Sequence, residues 1–279
     1  MRAGVVQLNS NENKDRNLAA ADSLVRGAVA EGAELIVLPE KFNVLGTPEQ
    51  MSEGAEPLEG PTLRWARGLA RELGISLVAG SILERIEGEK KLRNTSALIG
   101  PDGEVEAVYR KIHMFDVEVG GVTYRESDSE APGDEIVWAD AGDVPLGMAI
   151  CYDLRFPELF RILALRGARV IALPSAFTLY TGKDHWEVLV RARAIENQVF
   201  MLAADQIGKH PPDHQSFGRS MIVDAWGVPL ATAPDSECFL VAELDIAALD
   251  RIREKLPSLA NRKPDSYRWP DPALTAVEE

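Results

Sequence analysis

The chain has 279 residues, 46% of them hydrophobic and 27% charged, with 30 Lys and Arg against 44 Asp and Glu for a formal charge of −14. That size and balance describe a chain able to bury a core without disulfide or metal staples. The acidic excess excludes binding through nucleic-acid phosphates or to an anionic membrane surface, both of which need basic patches, and leaves small-molecule chemistry, where one buried cation can dominate a pocket.

In chain order, AGVVQL (3–8) reads as a strand, and the N-terminus turns polar too soon for a signal-peptide core. Residues 15–31 follow as a helix, with Leu18, Ala21, Leu24, Val25, Ala28 and Val29 on one face and Asp15 as its N-cap. ELIVLP (34–39) is the next strand, and 61–73 a helix that opens at Pro61 and stops before Gly74. ISLVAG (75–80), TSALIG (95–100) and VEAVYR (105–110) read as strands, the last two joined by the turn GPDG (100–103). Then come strand PLGMAI (145–150), helix 155–167, strand RVIALP (169–174) and helix 184–198, capped near Asp184. Strands VFMLAAD (199–205), RSMIVDAW (219–226) and ECFLVAELD (237–245) complete the pattern. Strands alternating with helices, broken by strand–strand turns, predict an α/β protein with mixed sheets. No linker, repeat or low-complexity run divides the chain, so one domain is expected over 1–262, with the Pro- and charge-rich 263–279 as a tail along the surface or a subunit interface. No apolar run reaches the length of a membrane span.

The sharpest local signal is GMAICYDLRFPELFRILALRG (147–167). It puts Cys151 where a strand ends and a helix begins, the place of the nucleophile in many hydrolases. A helix N-terminus there would lower the thiol pKa and offer backbone N–H groups to an oxyanion. The competing reading is a buried structural cysteine, a common fate of free thiols. Three further segments bear on the choice. Glu40 lies just past the strand ELIVLP, Lys111 just past VEAVYR, and Glu126 in the loop after it. Singly, each is the kind of residue that decorates a surface or forms an ion pair. Together they supply what amide cleavage by a thiol needs, a carboxylate to move protons and a cation for the oxyanion.

LPE at Glu40, YRKIHMFD at Lys111 and CYDLRFPE at Cys151 resemble the Glu–Lys–Cys triad of the nitrilase superfamily, in order and in spacing. ALPSAF (172–177), TGKDHWEVLVRARAIENQ (181–198), SFGRSMIVDAWG (216–227) and LPSLANRKPDSY (256–267) extend the likeness through nearly the whole chain, toward the branch that holds deaminated-glutathione amidase and ω-amidase. The resemblance implies a four-layer α-β-β-α sandwich of two mixed sheets, a homodimer or higher homo-oligomer, no cofactor, and an acyl-thioester intermediate on Cys151. It makes Glu40 the general base, assigns the oxyanion to Lys111 and the Tyr152 N–H, and gives Glu126 an orienting role. The substrate it implies is a small amide, such as that of an α-keto dicarboxylate. An acidic chain needs a local cation for such a substrate, and Arg155 is the candidate for the distal carboxylate, with Phe177 and Thr181, which follow the strand RVIALP, placed to pack on the carbon chain and to donate a hydrogen bond. An ω-amidase acting on α-ketoglutaramate, an N-carbamoyl amide hydrolase, a nitrilase and a non-catalytic binding protein are the alternatives.

Other residues are set aside. Arg155 could instead bridge Glu158 one turn along its helix. His113, His185, His210 and His214 lack ligand spacing on any helix face, so they read as structural or solvated, and no metal site is expected. Cys238 sits inside a strand with no acid or base beside it and reads as packing, Trp186 and Trp226 as core or interface aromatics. Two cysteines without a CxxC pair make no disulfide framework, and a cytoplasmic, reducing location follows.

Overall fold

The structure, a computed structural model, describes residues 1–268. In chain order it contains β1 (Arg2–Gln7), α1 (Lys14–Ala30), β2 (Leu35–Val37), α2 (Pro48–Gly54), α3 (Pro61–Leu73), β3 (Ser76–Val78), β4 (Ile82–Glu84), β5 (Arg93–Ile99) and β6 (Val105–Arg110). The hairpin β7 (Asp116–Val119) and β8 (Val122–Arg125) comes next, then β9 (Trp138–Ala141), β10 (Val144–Met148), α4 (Pro157–Leu165), β11 (Val170–Ser175) and α5 (Leu179–Asn197). The rest is β12 (Phe200–Asp205), β13 (Ile207–His210), β14 (His214–Phe217), β15 (Met221–Val223), β16 (Pro229–Thr232), β17 (Cys238–Glu243) and α6 (Ile246–Lys255).

Two mixed sheets face each other. The first runs β17-β1-β2-β3-β5-β4 with β6 on β5, the second β16-β15-β12-β11-β10-β9. Each has three parallel strands at its centre, β1–β2–β3 and β10–β11–β12, flanked by antiparallel ones. Strand period explains the layering. Ala3 and Val5 of β1 and Leu35 and Val37 of β2 join the core between the sheets. Val6, Ile36 and Leu38 point the other way, onto Ala21, Val25 and Ala28 of α1 and Leu63, Ala66 and Leu69 of α3. On the far side, Leu159, Phe160 and Leu163 of α4 and Trp186, Val190 and Ala194 of α5 cover the second sheet. The result is the expected α-β-β-α order. Because the central strands are covered on both faces, ELIVLP reads as a continuous apolar run rather than an alternating one.

Element boundaries differ from the sequence reading in instructive places. Asn13, not Asp15, caps α1, its side chain accepting the Arg16 N–H at 3.0 Å. The second long helix starts at Leu179 rather than near Asp184, so His185 lies within it. The segment 155–167 is not one helix running from the nucleophile. Cys151–Arg155 is a 3-10 turn, Phe156 is extended, and α4 begins at Pro157, whose missing N–H and fixed φ suit a first turn. The third helix, α3, ends as expected, with Gly74 left-handed at its C-terminus. The described part of the tail, 263–268, holds a short exposed 3-10 turn at Pro264–Ser266, and 269–279 lie outside the described residues. No helix among the described residues is long and apolar enough to cross a membrane.

Candidate active site

Parallel strands in an α/β layer present their carboxyl ends at one edge, and that edge is where a ligand crevice forms. Here Glu40 follows β2, Cys151 follows β10, Ala176 follows β11 and Gln206 follows β12, while Lys111 follows the antiparallel β6. Cys151, and Lys41 next to Glu40, are conformationally strained, with φ 46° and φ 50° in the left-handed region that non-glycine residues rarely occupy. The turn at Cys151 is fixed by Asp153. Its carboxylate accepts the Ile150 N–H at 2.8 Å and the Tyr109 hydroxyl at 2.7 Å, and its other oxygen pairs with His113 Nδ1 at 2.7 Å. One buried carboxylate thus ties the nucleophile turn to the end of β6, where Lys111 stands.

Four of the expected residues meet. The Lys111 ammonium, 1% exposed, donates to Glu40 Oε1 at 3.0 Å and to Glu126 Oε1 and Oε2 at 2.9 and 2.8 Å. Glu40 is fixed on all sides: Asn94 Nδ2 donates to Oε1 at 2.8 Å, the Ala176 N–H to Oε2 at 2.8 Å, and Gln206 Nε2 to its carbonyl at 3.0 Å. The Cys151 thiol lies against Glu40 and the Ala176 N–H. Glu126 also accepts the Phe115 N–H at 2.8 Å.

The electrostatics follow from burial and neighbours. Burial pushes the Cys151 thiol well above its usual range, the Glu40 charge adds to that, and Lys111 opposes it. This corrects the expectation of a thiol made acidic by a helix N-terminus: a single 3-10 turn supplies little dipole, and desolvation with a facing carboxylate outweighs it. Burial disfavours the Lys111 charge, but Glu126 and Glu40 outweigh it and raise the ammonium. Likewise, burial acts against the Glu126 charge, yet Lys111 and Lys41 hold it far below the usual carboxylate range.

Sequence reasoning missed a second ion pair in the same place. Lys41 Nζ donates to Glu130 Oε1 at 2.6 Å and to Glu126 Oε1 at 3.3 Å, and both side chains are nearly enclosed. Burial, partly offset by Lys41, pushes Glu130 up to about 7. Each residue is one or four positions from a recognised one, but nothing in a charged residue's identity says which way it points. Asn94 and Gln206 were missed for the same reason.

These groups open onto a cavity of about 280 Å³. Its walls come from Leu45 to Met51, from Phe115 and Thr123–Arg125 of the first hairpin, and from His210, Pro211 and His214–Ser216 of the second. The two hairpins touch where Tyr124 and His214 lie 5.4 Å apart. His210 and His214 border the cavity, which no signal in the sequence indicated; His210 is buried and bonded to the Ser10 carbonyl and the Ser216 hydroxyl. Tyr152, Phe177 and Thr181 line the cavity. Arg155 is not in the lining. Its guanidinium lies 5.2 Å from the Phe177 ring centre and 3.3 Å from His185 Nδ1, and among the described residues it forms no bridge to Glu158 or any other carboxylate. Cys238 is half-buried in β17, Trp186 is core and Trp226 is exposed. Among the described residues no group of three or more His, Cys, Asp or Glu is arranged to hold a metal ion.

Residues 2–254 match the model of the carbon-nitrogen hydrolase family. A deaminated glutathione amidase of Synechocystis is 40% identical over 264 residues, covering 93% of this chain and 97% of its own. An omega-amidase of Mus musculus is 39% identical over 267 residues, covering 95% and 96%. A solved Saccharomyces cerevisiae structure, described as a member of branch 10 of the nitrilase superfamily, superposes with a TM-score of 0.86 at 31% identity, over 96% of this chain and 97% of that one.

Proposed function

The chain belongs to the carbon–nitrogen hydrolase family and is an amide-hydrolysing enzyme, and we propose that Cys151, Glu40 and Lys111 carry its chemistry, with Glu126 orienting Lys111. One observation carries this reading: Lys111 bonds Glu40 and Glu126 together while the thiol sits against Glu40. Glu40 accepts the thiol proton as sulfur attacks the carboxamide carbon, and the oxyanion is met by the Lys111 ammonium and the Tyr152 N–H. Protonated Glu40 then gives its proton to the nitrogen, the C–N bond breaks, and ammonia leaves a thioester on Cys151. Glu40 next takes a proton from water, whose oxygen attacks the thioester; the acid departs and the thiol is restored. A thiol held neutral at rest by burial and by Glu40 ionises only as it attacks, so proton transfer and bond formation are coupled.

For the substrate, the reading is an amide of an α-keto dicarboxylate, supported by likeness to a deaminated glutathione amidase and an omega-amidase. Phe177 and Thr181 line the cavity beyond the thiol and fit the carbon chain and a hydrogen bond. Arg155, which pairs with no carboxylate among the described residues and packs on two lining residues, Tyr152 and Phe177, is the cation assigned to the distal carboxylate. Exposed Val188, Ile195 and Trp226 support a homo-oligomer of this chain, and the core shared by both sheets supports a single domain over 1–262. Chemistry that needs a free thiol suits a reducing, cytoplasmic setting.

The test is ammonia release from a panel of α-ketoglutaramate, deaminated glutathione, a neutral amide of similar length, an N-carbamoyl amide and a nitrile, for wild type and Cys151→Ala. Turnover of the keto-acid amides should lead the panel and vanish in Cys151→Ala with the fold and oligomer unchanged. Residual turnover in that variant would sink the mechanism, and a nitrile or carbamoyl preference would overturn the substrate class.

A further inference from the structure

The ammonium of Lys111 has three protons, and all three are engaged, one on Glu40 and two spread across the Glu126 carboxylate. To meet an oxyanion, Lys111 must turn one N–H away, and Glu126 is the partner holding two of them. The oxygen released is not left bare. Lys41 Nζ stands 3.3 Å from Glu126 Oε1, the same oxygen that Lys111 bonds at 2.9 Å. We propose that Lys41 is a positioning residue that keeps Glu126 Oε1 paired when Lys111 swings a proton to the oxyanion, and that Glu130 holds Lys41 in reach. This rests on the roles given above to Lys111 and Cys151.

Several features of the site support it. A carboxylate oxygen that loses its partner in a buried site costs several times what it costs in water, because nothing replaces the lost bond. Lys41 is enclosed, with its backbone bent into the left-handed region and its N–H held by Ser81 Oγ at 3.0 Å, so its stem has a fixed starting point. Glu130 Oε1 grips the ammonium at 2.6 Å, and Glu130 Oε2 is buried with no hydrogen-bond partner among the described residues, so Lys41 is the group for which that carboxylate is placed. Counting the buried side chains, Lys41 and Lys111 bring two positive charges against three carboxylates, Glu40, Glu126 and Glu130. Glu130, pushed up to about 7, is the carboxylate of the three that gives up its charge most readily. The competing explanation is that Lys41 merely neutralises Glu130, a structural pair that happens to border the cavity.

The experiment separates the two with Lys41→Met, Lys41→Arg, Glu130→Gln and the double Lys41→Met/Glu130→Gln. Each is assayed for kcat and KM on the panel amide that the wild type turns over fastest, and kcat/KM is followed against pH. A positioning role predicts that Lys41→Met lowers kcat on the order of ten- to a hundredfold with KM little changed, since the cation is needed only as the oxyanion forms. The pH profile of kcat/KM should keep its acid limb, because Lys111 still holds Glu126 ionised when Lys41 is removed. Lys41→Arg should recover most of kcat, Glu130→Gln, which keeps an acceptor for Lys41 but loses the charge that grips it, should lower kcat less than Lys41→Met, and the double should remain as slow as Lys41→Met. If the pair is only structural, the double, which removes both charges together, regains activity, and that result overturns the proposal. So does a wild-type kcat in Lys41→Met. Should Lys41→Met fail to fold, judged by circular dichroism, the double with its balanced charge decides alone. Cys151→Ala and Glu40→Gln are assayed in parallel. If those remain active, the assignment of the site has failed; if they are dead and the Lys41 variants are not, only this inference has.

Discussion

Replacing Glu40 by Gln should do two opposite things to the same thiol, and the opposition is the test. The change keeps shape and removes charge. A Gln oxygen at the Oε1 position can still accept from Lys111 and Asn94, which leaves the new NH2 facing the Ala176 N–H that now bonds Oε2 at 2.8 Å. The variant loses the group that moves protons, so kcat should fall on the order of a hundred- to ten-thousandfold. The thiol itself should become more acidic. Glu40 is, after burial, the main reason it stands above its usual range, and Lys111 is the opposing charge that remains. A neighbouring charge is typically worth about one to three pH units. Thiolate fraction rises tenfold per pH unit of lowering, while nucleophilicity falls with a slope of about 0.4–0.5, so the net gain is roughly three- to fourfold per unit. Modification of Cys151 by methyl methanethiosulfonate, followed by mass spectrometry with Cys151→Ala as the blank for Cys238, should therefore be faster at pH 7 in Glu40→Gln than in wild type. Ammonia release should nearly stop in the same sample. An unchanged or slower modification rate would refute the electrostatic account, and retained turnover would refute the role of Glu40 as base.

The other cysteine gives the control: Cys238→Ala should keep full ammonia release, since β17 carries that thiol far from the cavity lining. Glu126→Gln should cost less kcat than Glu40→Gln, because it weakens the hold on Lys111 without removing the base; the reverse order in a kinetic assay would exchange their roles. For stability, Glu130 holds a proton in the folded state up to about 7 that its unfolded counterpart loses near 4.5, so its contribution falls as pH rises through that window. Urea unfolding should show Glu130→Gln gaining stability relative to wild type between pH 5 and pH 8, and a constant or shrinking difference would contradict the burial of that carboxyl. Arg155→Lys should raise KM for an α-keto acid amide far more than for a neutral amide of equal length. Equal effects on both would show it structural, and a selective loss in Arg125→Gln instead would move the anchor to the cavity rim.

Much of this site was readable because chemistry and strand ends coincide. Glu40, Lys111 and Cys151 each follow an apolar run by one to three residues, and a sheet brings such positions to one edge whatever the loops do. Glu126, on a loop, was a candidate from its position alone, and its orienting role came only through resemblance. Lys41, Glu130, Asn94 and Gln206 were not readable, since each acts through the direction of its side chain. That direction is set by contacts distant in sequence: Asn94 reaches Glu40 across 54 positions and Gln206 across 166. The hairpins β7–β8 and β13–β14 were invisible for a different reason. They lie outside the two main sheets and their strands carry mostly polar or half-exposed residues, with His210 and Ser216 the buried ones, so they show no apolar run for a periodicity argument to find.

The same distinction explains why the thiol was misjudged. Sequence gives the local field, and the local signal at Cys151 was a helix start, which points to an acidic thiol. The field that governs it comes instead from Glu40, 111 positions upstream, and from the enclosure made by four layers. Asp153 shows the converse. It is two residues from Cys151, and its bonds to Ile150, Tyr109 and His113 are what hold the strained φ of the nucleophile turn against the end of β6. A residue next to the nucleophile therefore sets its position, and a residue far from it sets its proton affinity.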